Sequence, residues 1–425
     1  MGNSCACMSQ PGKASASTPS NTESTPNTIG ECSNSMSVEE QIERSKVHWS
    51  TLADQSSISL GDEGKAEESN KQEFMELQRH PTWGGFFRTF NGEDENLYDN
   101  GELVVGEKFA EGGQAELFHA KVTWWNPKDN EMFERKGVEF VLKVFKKGTF
   151  LRSLKSQLPN GLLQFHVEDM EKVKSPTPKV TPRYFCHVHR GILLKNGQFA
   201  FLMEKEHFDL RSLIERNMGL RSDGDCGPFS KEDGEVMMYD IALGVEWLHN
   251  HDIIHRDLKA SNVLVREFKS TWPKWICVVA DYECSIGVVG TNFFRAPEIL
   301  QACNDKMTNQ RPEVFSRAAD IYAYGMTCYE VLVGKLPFED HPHHNKMSLL
   351  KDHVINHDLR PKIPEYVEVW ARNLLNGCWQ RDPRARPSIG EILDILSTNS
   401  ASVRRREEFQ KKKYGENFRF VSKHE

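Results

Sequence analysis

The stretch HRDLKASN, His255–Asn262, sets an aspartate, a lysine and an asparagine at positions 257, 259 and 262. Each type has a use in moving a phosphoryl group, a reaction that needs positioning and charge neutralisation more than covalent help. Asp257 can accept or orient the proton of an attacking hydroxyl. Lys259 can reach the γ-phosphate and stabilise the charge that develops there. Asn262 offers an amide oxygen to Mg²⁺. A further acidic candidate lies in CVVADYECSIG, Cys277–Gly287, where Asp281 follows an apolar run. Glu283 stands two residues later, where the surroundings lead one to expect glycine.

These residues need a scaffold, and the chain is long enough to build one. It has 425 residues, 38% of them hydrophobic and 27% charged, enough for two or three compact units. A net charge of −7 argues against non-specific nucleic-acid binding as the main activity. No apolar run approaches the ~18 residues needed to cross a bilayer, and no secretory signal is visible, so a cytosolic or nuclear chain is expected. The ten cysteines then read as reduced thiols. Cys5 and Cys7 form the one close pair, and nothing near them completes a zinc site.

Composition divides the chain. Residues 1–37 are rich in Ser, Thr, Asn and Pro and are expected to be disordered. Residues 38–100 read as a polar, partly helical linker, whose more apolar part, QEFMELQRHPTWGGFFRTF, is expected to pack onto the folded domain. From Gly101 the texture changes to strand, Gly-containing turn and strand, in ELVVGEKFAEGGQAELFHAKV. TWWNPKDNEMFERKG reads as a long polar loop. GVEFVLKVF, FCHVHRGILL and QFAFLME read as further strands. After Glu204 helical periods dominate, in GEVMMYDIALGVEWLHN, AADIYAYGMTCYEVLVG and VEVWARNLLNGCW. A small strand-rich unit therefore precedes a larger helix-rich one, with a cleft between them as a place for a ligand.

HRDLKASN resembles the H-R-D-L-K-x-x-N catalytic loop of the protein kinase family at all six fixed positions. The resemblance covers residues 101–396 and implies an α+β bilobal kinase fold, with a small lobe over 101–204 and a large one over 205–396. It implies ATP and Mg²⁺ as cofactors, with Asn262 and Asp281 as metal ligands. FVLK is similar to the family's V-A-I-K strand, which makes Lys143 the lysine on the α- and β-phosphates. Its implied partner is a carboxylate on the following helix; Glu168 and Glu171 both qualify, and Glu168, in FHVE, is preferred. FAEGGQAEL, ending at Leu117, is similar to the nucleotide-covering hairpin, with Ala110, Gly112 and Ala115 at the three glycine positions and Gly113 adding freedom. Met203 is implied at the back of the adenine pocket, with the Glu204–Lys205 backbone on the base. In ADYE the metal aspartate is kept, Tyr282 keeps the aromatic, and Glu283 replaces the hinge glycine, so Asp281 is expected to hold its inward pose. GTNFFRAPE, Gly290–Glu298, matches a further family segment, which implies a Glu298–Arg386 pair. DIYAYG implies that Asp320 braces the catalytic loop.

Lys259 in LKASN is similar to the Ser/Thr-specific members, which implies protein substrates with Ser or Thr acceptors. CWQRDPRARP and LRPKIP resemble the tyrosine-kinase-like branch that includes plant Raf-like kinases. Between Asp281 and Gly290 the hydroxyls are Tyr282 and Ser285, both too close to the aspartate to order the loop when phosphorylated, so activity is expected not to need that modification. The alternative reading, resting on Ala110, Ala115 and Glu283, is a pseudokinase scaffold or nucleotide-gated switch.

At the N-terminus Met1-Gly2 suits myristoylation, although Ala6 replaces the usual Ser or Thr, and Cys5 and Cys7 suit palmitoylation. Together they would bring a cytoplasmic enzyme to the plasma membrane; the other reading is an unmodified tail. Residues 397–425, with RRR at 404–406 and KKK at 411–413, read as a basic tail, a solvated end in preference to a contact with anionic lipid.

Overall fold

The computed structural model describes residues 63–414 except 82, 88, 91–97, 100, 127–130, 135–138, 163–183, 222–225 and 269–271. The expected disorder of 1–37, the acylation sites Gly2, Cys5 and Cys7, and Glu168 and Glu171 lie outside the described residues.

Two lobes follow the sequence order, as the α+β expectation requires. The small lobe is an antiparallel sheet of β1 (Gly101–Glu111), β2 (Ala115–Asn126), β4 (Phe140–Phe145), β6 (Phe199–Glu204) and β5 (Val188–Leu193), in that spatial order, with β3 (Glu131–Glu134) paired to β2. Alternation along β6 explains the burial on both faces. Phe199, Phe201 and Met203 join the main core, while Ala200 and Leu202 pack in a smaller cluster with Leu142, Val144 and Ile192. β3 corrects the expected polar loop: Trp124 pairs with Phe133 and Trp125 with Met132. Backbone pairing carries the hairpin from Thr123↔Glu134 to Asn126↔Glu131, up to the point where Asn, Pro, Lys and Asp suggest a break.

Helix α1 (Glu63–Gln78) and the turn after it pack onto this sheet. Phe74, Leu77, Phe86 and Phe87 are buried against the Phe199 and Phe201 face, with Phe86 and Phe87 edge to face at 5.0 Å. Asn70 is the polar anchor. Its amide donates to the carbonyls of Thr149 and Gly197, and its oxygen accepts from the Leu151 amide at 2.6 Å, at the start of α2 (Leu151–Lys155).

The large lobe is built on two helices buried on nearly all sides, α4 (Lys231–Asn250) and α6 (Arg317–Val333). Such helices read apolar all round rather than along one stripe. Ser230 and Ser316 cap them, and Gly334, at φ +82°, closes α6 in the left-handed conformation. Around them lie α3 (Leu210–Gly219), α5 (Pro297–Asn304), α7 (Met347–Asn356), α8 (Val369–Cys378) and α9 (Ile389–Asn399). A three-stranded sheet, β9 (Trp275–Val279), β8 (Val263–Glu267) and β7 (Phe208–Asp209), lies beside them and delivers the catalytic stretches to the cleft.

The expected solvated basic end needs correction over 401–414. These residues form α10 (Ala401–Tyr414), which packs on α4. Arg406 is 1% exposed and donates to both carboxylate oxygens of Asp240, at 3.2 Å and 3.4 Å from Nη2. Asp240 also accepts the Cys277 amide of β9 at 3.2 Å. Burial pushes Asp240 up to about 6 against the pull of Arg406. A run of like charges reads as solvated, but every third or fourth residue of a helix can face inward and meet a buried acid.

Candidate active site

His255–Asn262 follows α4 and is fixed by acids beneath it. Asp320, 1% exposed at the start of α6, accepts the amides of His255 and Arg256 at 2.8 and 2.9 Å and meets His249 at 3.0 Å. Burial pushes its carboxyl upward, but the hydrogen bond and charge of His249 outweigh that and hold it below the ordinary range. Glu330, from the same helix, accepts the Ala260 amide at 3.1 Å and pairs with Arg211 at 3.1 Å. Burial pushes Glu330 up to about 7 in spite of Arg211. The His255 ring meets the Ala280 carbonyl at 2.9 Å, and the Ala280 amide donates to the Asn262 carbonyl at 2.9 Å. Two stretches well separated in sequence are thus tied side by side.

On this base Asp257, Lys259 and Thr291 form a closed triangle. Lys259 donates to Asp257 and to the Thr291 hydroxyl, both at 2.8 Å, and Thr291 donates to the other Asp257 oxygen at 2.6 Å. Asn262 donates its amide to the Asp257 carbonyl at 2.8 Å, which leaves its side-chain oxygen for a cation. Sequence reasoning quoted Thr291 within GTNFFRAPE but gave it no part in the site. Further along, Glu298 and Arg386 form a bidentate pair at 2.8 Å in both arms.

Asp281 takes a left-handed backbone, φ +66°, which aspartate tolerates better than most residues. Its side chain is 52% exposed, so it faces the cleft while Lys143 binds it. Lys143 holds its carboxyl below the ordinary range. Tyr282 is buried, its hydroxyl on the Cys186 carbonyl at 2.8 Å and its ring beside Phe185 and Trp247.

Lys143 stands on β4, opposite Leu117 of β2 and Phe201 of β6. Its ammonium is ion-paired with Asp281 and with Glu283. Burial opposes the charge on Lys143, but the two carboxylates outweigh it and raise the ammonium above its ordinary value. The Lys143–Glu283 pairing is the main feature that sequence reasoning missed. In the sequence, Glu283 in place of glycine points only to a change in backbone mobility.

In the hairpin, the Gly112 amide donates to the Ala115 carbonyl at 2.8 Å, closing the turn. A Cβ at Gly112 would meet only the Ala115 oxygen, at an ordinary 3.6 Å, and one at Gly113 would meet nothing within 4 Å. Neither glycine has the positive φ that would require it. Their lack of side chains leaves room for close approach to the backbone, which is what a phosphate cover needs. Ala110 lies exposed opposite Leu117, and Ala115 is buried.

Met203 is 6% exposed at the end of β6. The backbone of Glu204 and Lys205, expected to meet a base, uses its amides within the protein. The Glu204 amide donates to the His187 carbonyl at 3.4 Å and the Lys205 amide to the Glu139 carbonyl at 2.8 Å. Both amides are thus engaged by carbonyls just outside the sheet.

The donor set fits Mg²⁺ and ATP. A half-exposed carboxylate and a free amide oxygen suit a hard cation, and a lysine beside glycines that the fold does not require suits phosphates.

Residues 190–395 match the family model described as the protein kinase domain. A light-sensor protein kinase of Ceratodon purpureus is 25% identical over 66% of this chain and 23% of its own length. The serine/threonine-protein kinase STY17 of Arabidopsis thaliana is 31% identical over 37% of this chain and 26% of its own length. A probable serine/threonine-protein kinase of Dictyostelium discoideum is 33% identical over 38% of this chain and 11% of its own length. The matched parts thus make up about a quarter or less of each of these relatives. The family match begins at Arg190 and leaves out Lys143 and the glycine hairpin, which stand on the sheet geometry instead. With the catalytic loop, its bracing aspartate and the two-lobed fold in agreement with that match, the chain carries a domain of the protein kinase family.

Proposed function

We propose that this chain transfers the γ-phosphate of ATP, with Mg²⁺, to Ser or Thr hydroxyls of protein substrates in intracellular signalling. The observation that carries the reading is the Asp257–Lys259–Thr291 triangle, with sides of 2.8, 2.8 and 2.6 Å. It places a base and a cation side by side, where an incoming hydroxyl must lose a proton and a phosphoryl group must gain compensation for its charge. Bound Mg-ATP supplies the phosphoryl group and the charge neutralisation of a metal ion. The protein's part is positional: Asp257 orients the acceptor hydroxyl and takes its proton, while Lys259 stabilises transferred charge. Asn262 and Asp281 would hold the metal, Lys143 the phosphates, and the Gly112–Gly113 turn would cover them.

Loop phosphorylation is not part of the proposed mechanism. Tyr282 and Ser285 are each 1% exposed, and Arg256 stacks on the Phe315 ring at 4.8 Å. Membership of the tyrosine-kinase-like, plant Raf-like branch is our reading of CWQRDPRARP and LRPKIP. Residues 101–396 are proposed as the kinase domain. Acylation of Gly2, Cys5 and Cys7, with recruitment to the plasma membrane, is a further proposal. Membrane binding by residues 1–37 that is unchanged in Gly2→Ala rules out the myristoyl part.

The test is purified full chain with Mg²⁺, labelled ATP and generic protein substrates. Some relatives are named as dual-specificity kinases, so a tyrosine-containing substrate belongs in the set. Transfer that disappears in Asp257→Asn and Lys143→Met is the expected result. The second reading, a nucleotide-gated scaffold, is favoured by the hold of Asp281 and Glu283 on Lys143. Nucleotide binding without transfer is its signature.

A further inference from the structure

A lysine that binds phosphates must be held by a carboxylate, or its long side chain samples many rotamers and loses the geometry. Glu283 does this here. Its side chain is 0% exposed and its carboxylate is ion-paired with Lys143, whose side chain is 16% exposed. Asp281 shares the lysine but is 52% exposed and, in the proposed function, is needed by the metal. The second Glu283 oxygen is buried and accepts no hydrogen bond among the described residues. Glu283 therefore depends on Lys143 for compensation, because a buried carboxylate without a cation is heavily penalised.

We propose that Glu283 is the positioning residue for Lys143, doing from the metal-binding loop what the sequence reading assigned to Glu168 or Glu171 on a helix. This rests on the proposed function for the meaning of Lys143, though the pairing does not. The consequence is structural coupling. Glu283 is two residues from Asp281, so the phosphate-binding lysine and the metal-binding aspartate are set by one short piece of backbone. Residue 283 is then a source of order at the phosphates rather than a damaged hinge.

Two measurements on the full chain test this. The first is thermal unfolding. Lys143→Met leaves Glu283 buried without its cation and lowers Tm; adding Glu283→Gln recovers most of the loss, since the uncompensated charge is gone. A double variant no more stable than Lys143→Met overturns the pairing. The second is binding of a fluorescent ATP analogue in Mg²⁺. Glu283→Gln and Glu283→Gly weaken it by about tenfold, the second in spite of restoring the family's glycine, and Glu283→Asp falls between these and the wild type. In the same assay Glu283→Gln costs more than Glu168→Gln or Glu171→Gln. Wild-type binding by Glu283→Gln, with Glu168→Gln as weak as Lys143→Met, overturns the proposal. Neither readout requires turnover. A wild type that binds nucleotide but transfers no phosphate defeats the proposed function, and the fate of Glu283 is still decided.

Discussion

The two sides of the cleft hold their functional residues by different means. On the large-lobe side, the catalytic loop is tied down by protein partners: Asp320 and Glu330 hold its backbone, and Asp257, Lys259 and Thr291 hold one another. On the small-lobe side, a Cβ at Gly112 or Gly113 would meet no clash, and among the described residues Lys143 is held by Asp281 and Glu283. Glycine makes the contrast sharp. Gly290, on the large-lobe side, has φ +89°, and a Cβ there would meet the Arg256 carbonyl at 2.7 Å. The fold itself demands that glycine, whereas it does not demand the hairpin pair. One side is a preorganised scaffold; the other is shaped to receive something.

Breaking the scaffold should have the largest effect. Arg406→Ala leaves Asp240 buried without its cation and should cost about 3–5 kcal/mol, read by denaturant unfolding. A loss under about 0.5 kcal/mol, the level of an ordinary surface change, would mean that α10 is not part of the scaffold. Thr291→Ala opens the triangle without touching the fold's core. It should lower kcat by about 10-fold to 100-fold with little change in the KM for ATP, on the scale of a lost charge-assisted hydrogen bond. Equal loss in both parameters would place Thr291 in nucleotide binding instead.

The hairpin tests the other side. Gly112→Ala should leave Tm unchanged or slightly raised, because the added methyl group meets no clash and restricts the unfolded chain. The KM for ATP should still rise by about threefold or more, as the methyl group enters space that phosphates need. A fall in Tm would erase the contrast with Gly290. The smallest effect is in pH dependence. Glu330 has its pKa raised to about 7, first by burial. A raised carboxyl pKa means that the fold binds the proton more tightly than the unfolded chain does. This group's contribution is present at acidic pH and is lost as pH rises from the ordinary glutamate range through about 7. Tm measured against pH should be flatter over that window in Glu330→Gln.

The legible parts of the sequence share one property: short-range order. Asp257, Lys259 and Asn262 lie within six residues, so their spacing alone brings them together on one loop. The alternation in β6 and the all-round apolar character of α4 and α6 give the layers of the fold directly. Where the reading went astray, the cause was a partner far along the chain or a local pattern that a stronger one overrode. β3 is hidden because Pro, Lys and Asp suggest a loop, although backbone pairing continues to Asn126 and Glu131.

The sequence by itself determined the type of fold, the catalytic-loop residues and the oddity at Glu283. Only the tertiary structure decided what that oddity does. Glu283 meets Lys143 across 140 residues, and Arg406 meets Asp240 across 166. A one-residue property such as charge says whether a side chain needs a partner. Which partner it finds depends on how strands and helices from distant parts of the chain are brought to one place, and neither spacing nor periodicity carries that information. At 283 the glutamate reads in sequence as a lost glycine, and in the folded protein as the buried counter-charge of the phosphate-binding lysine.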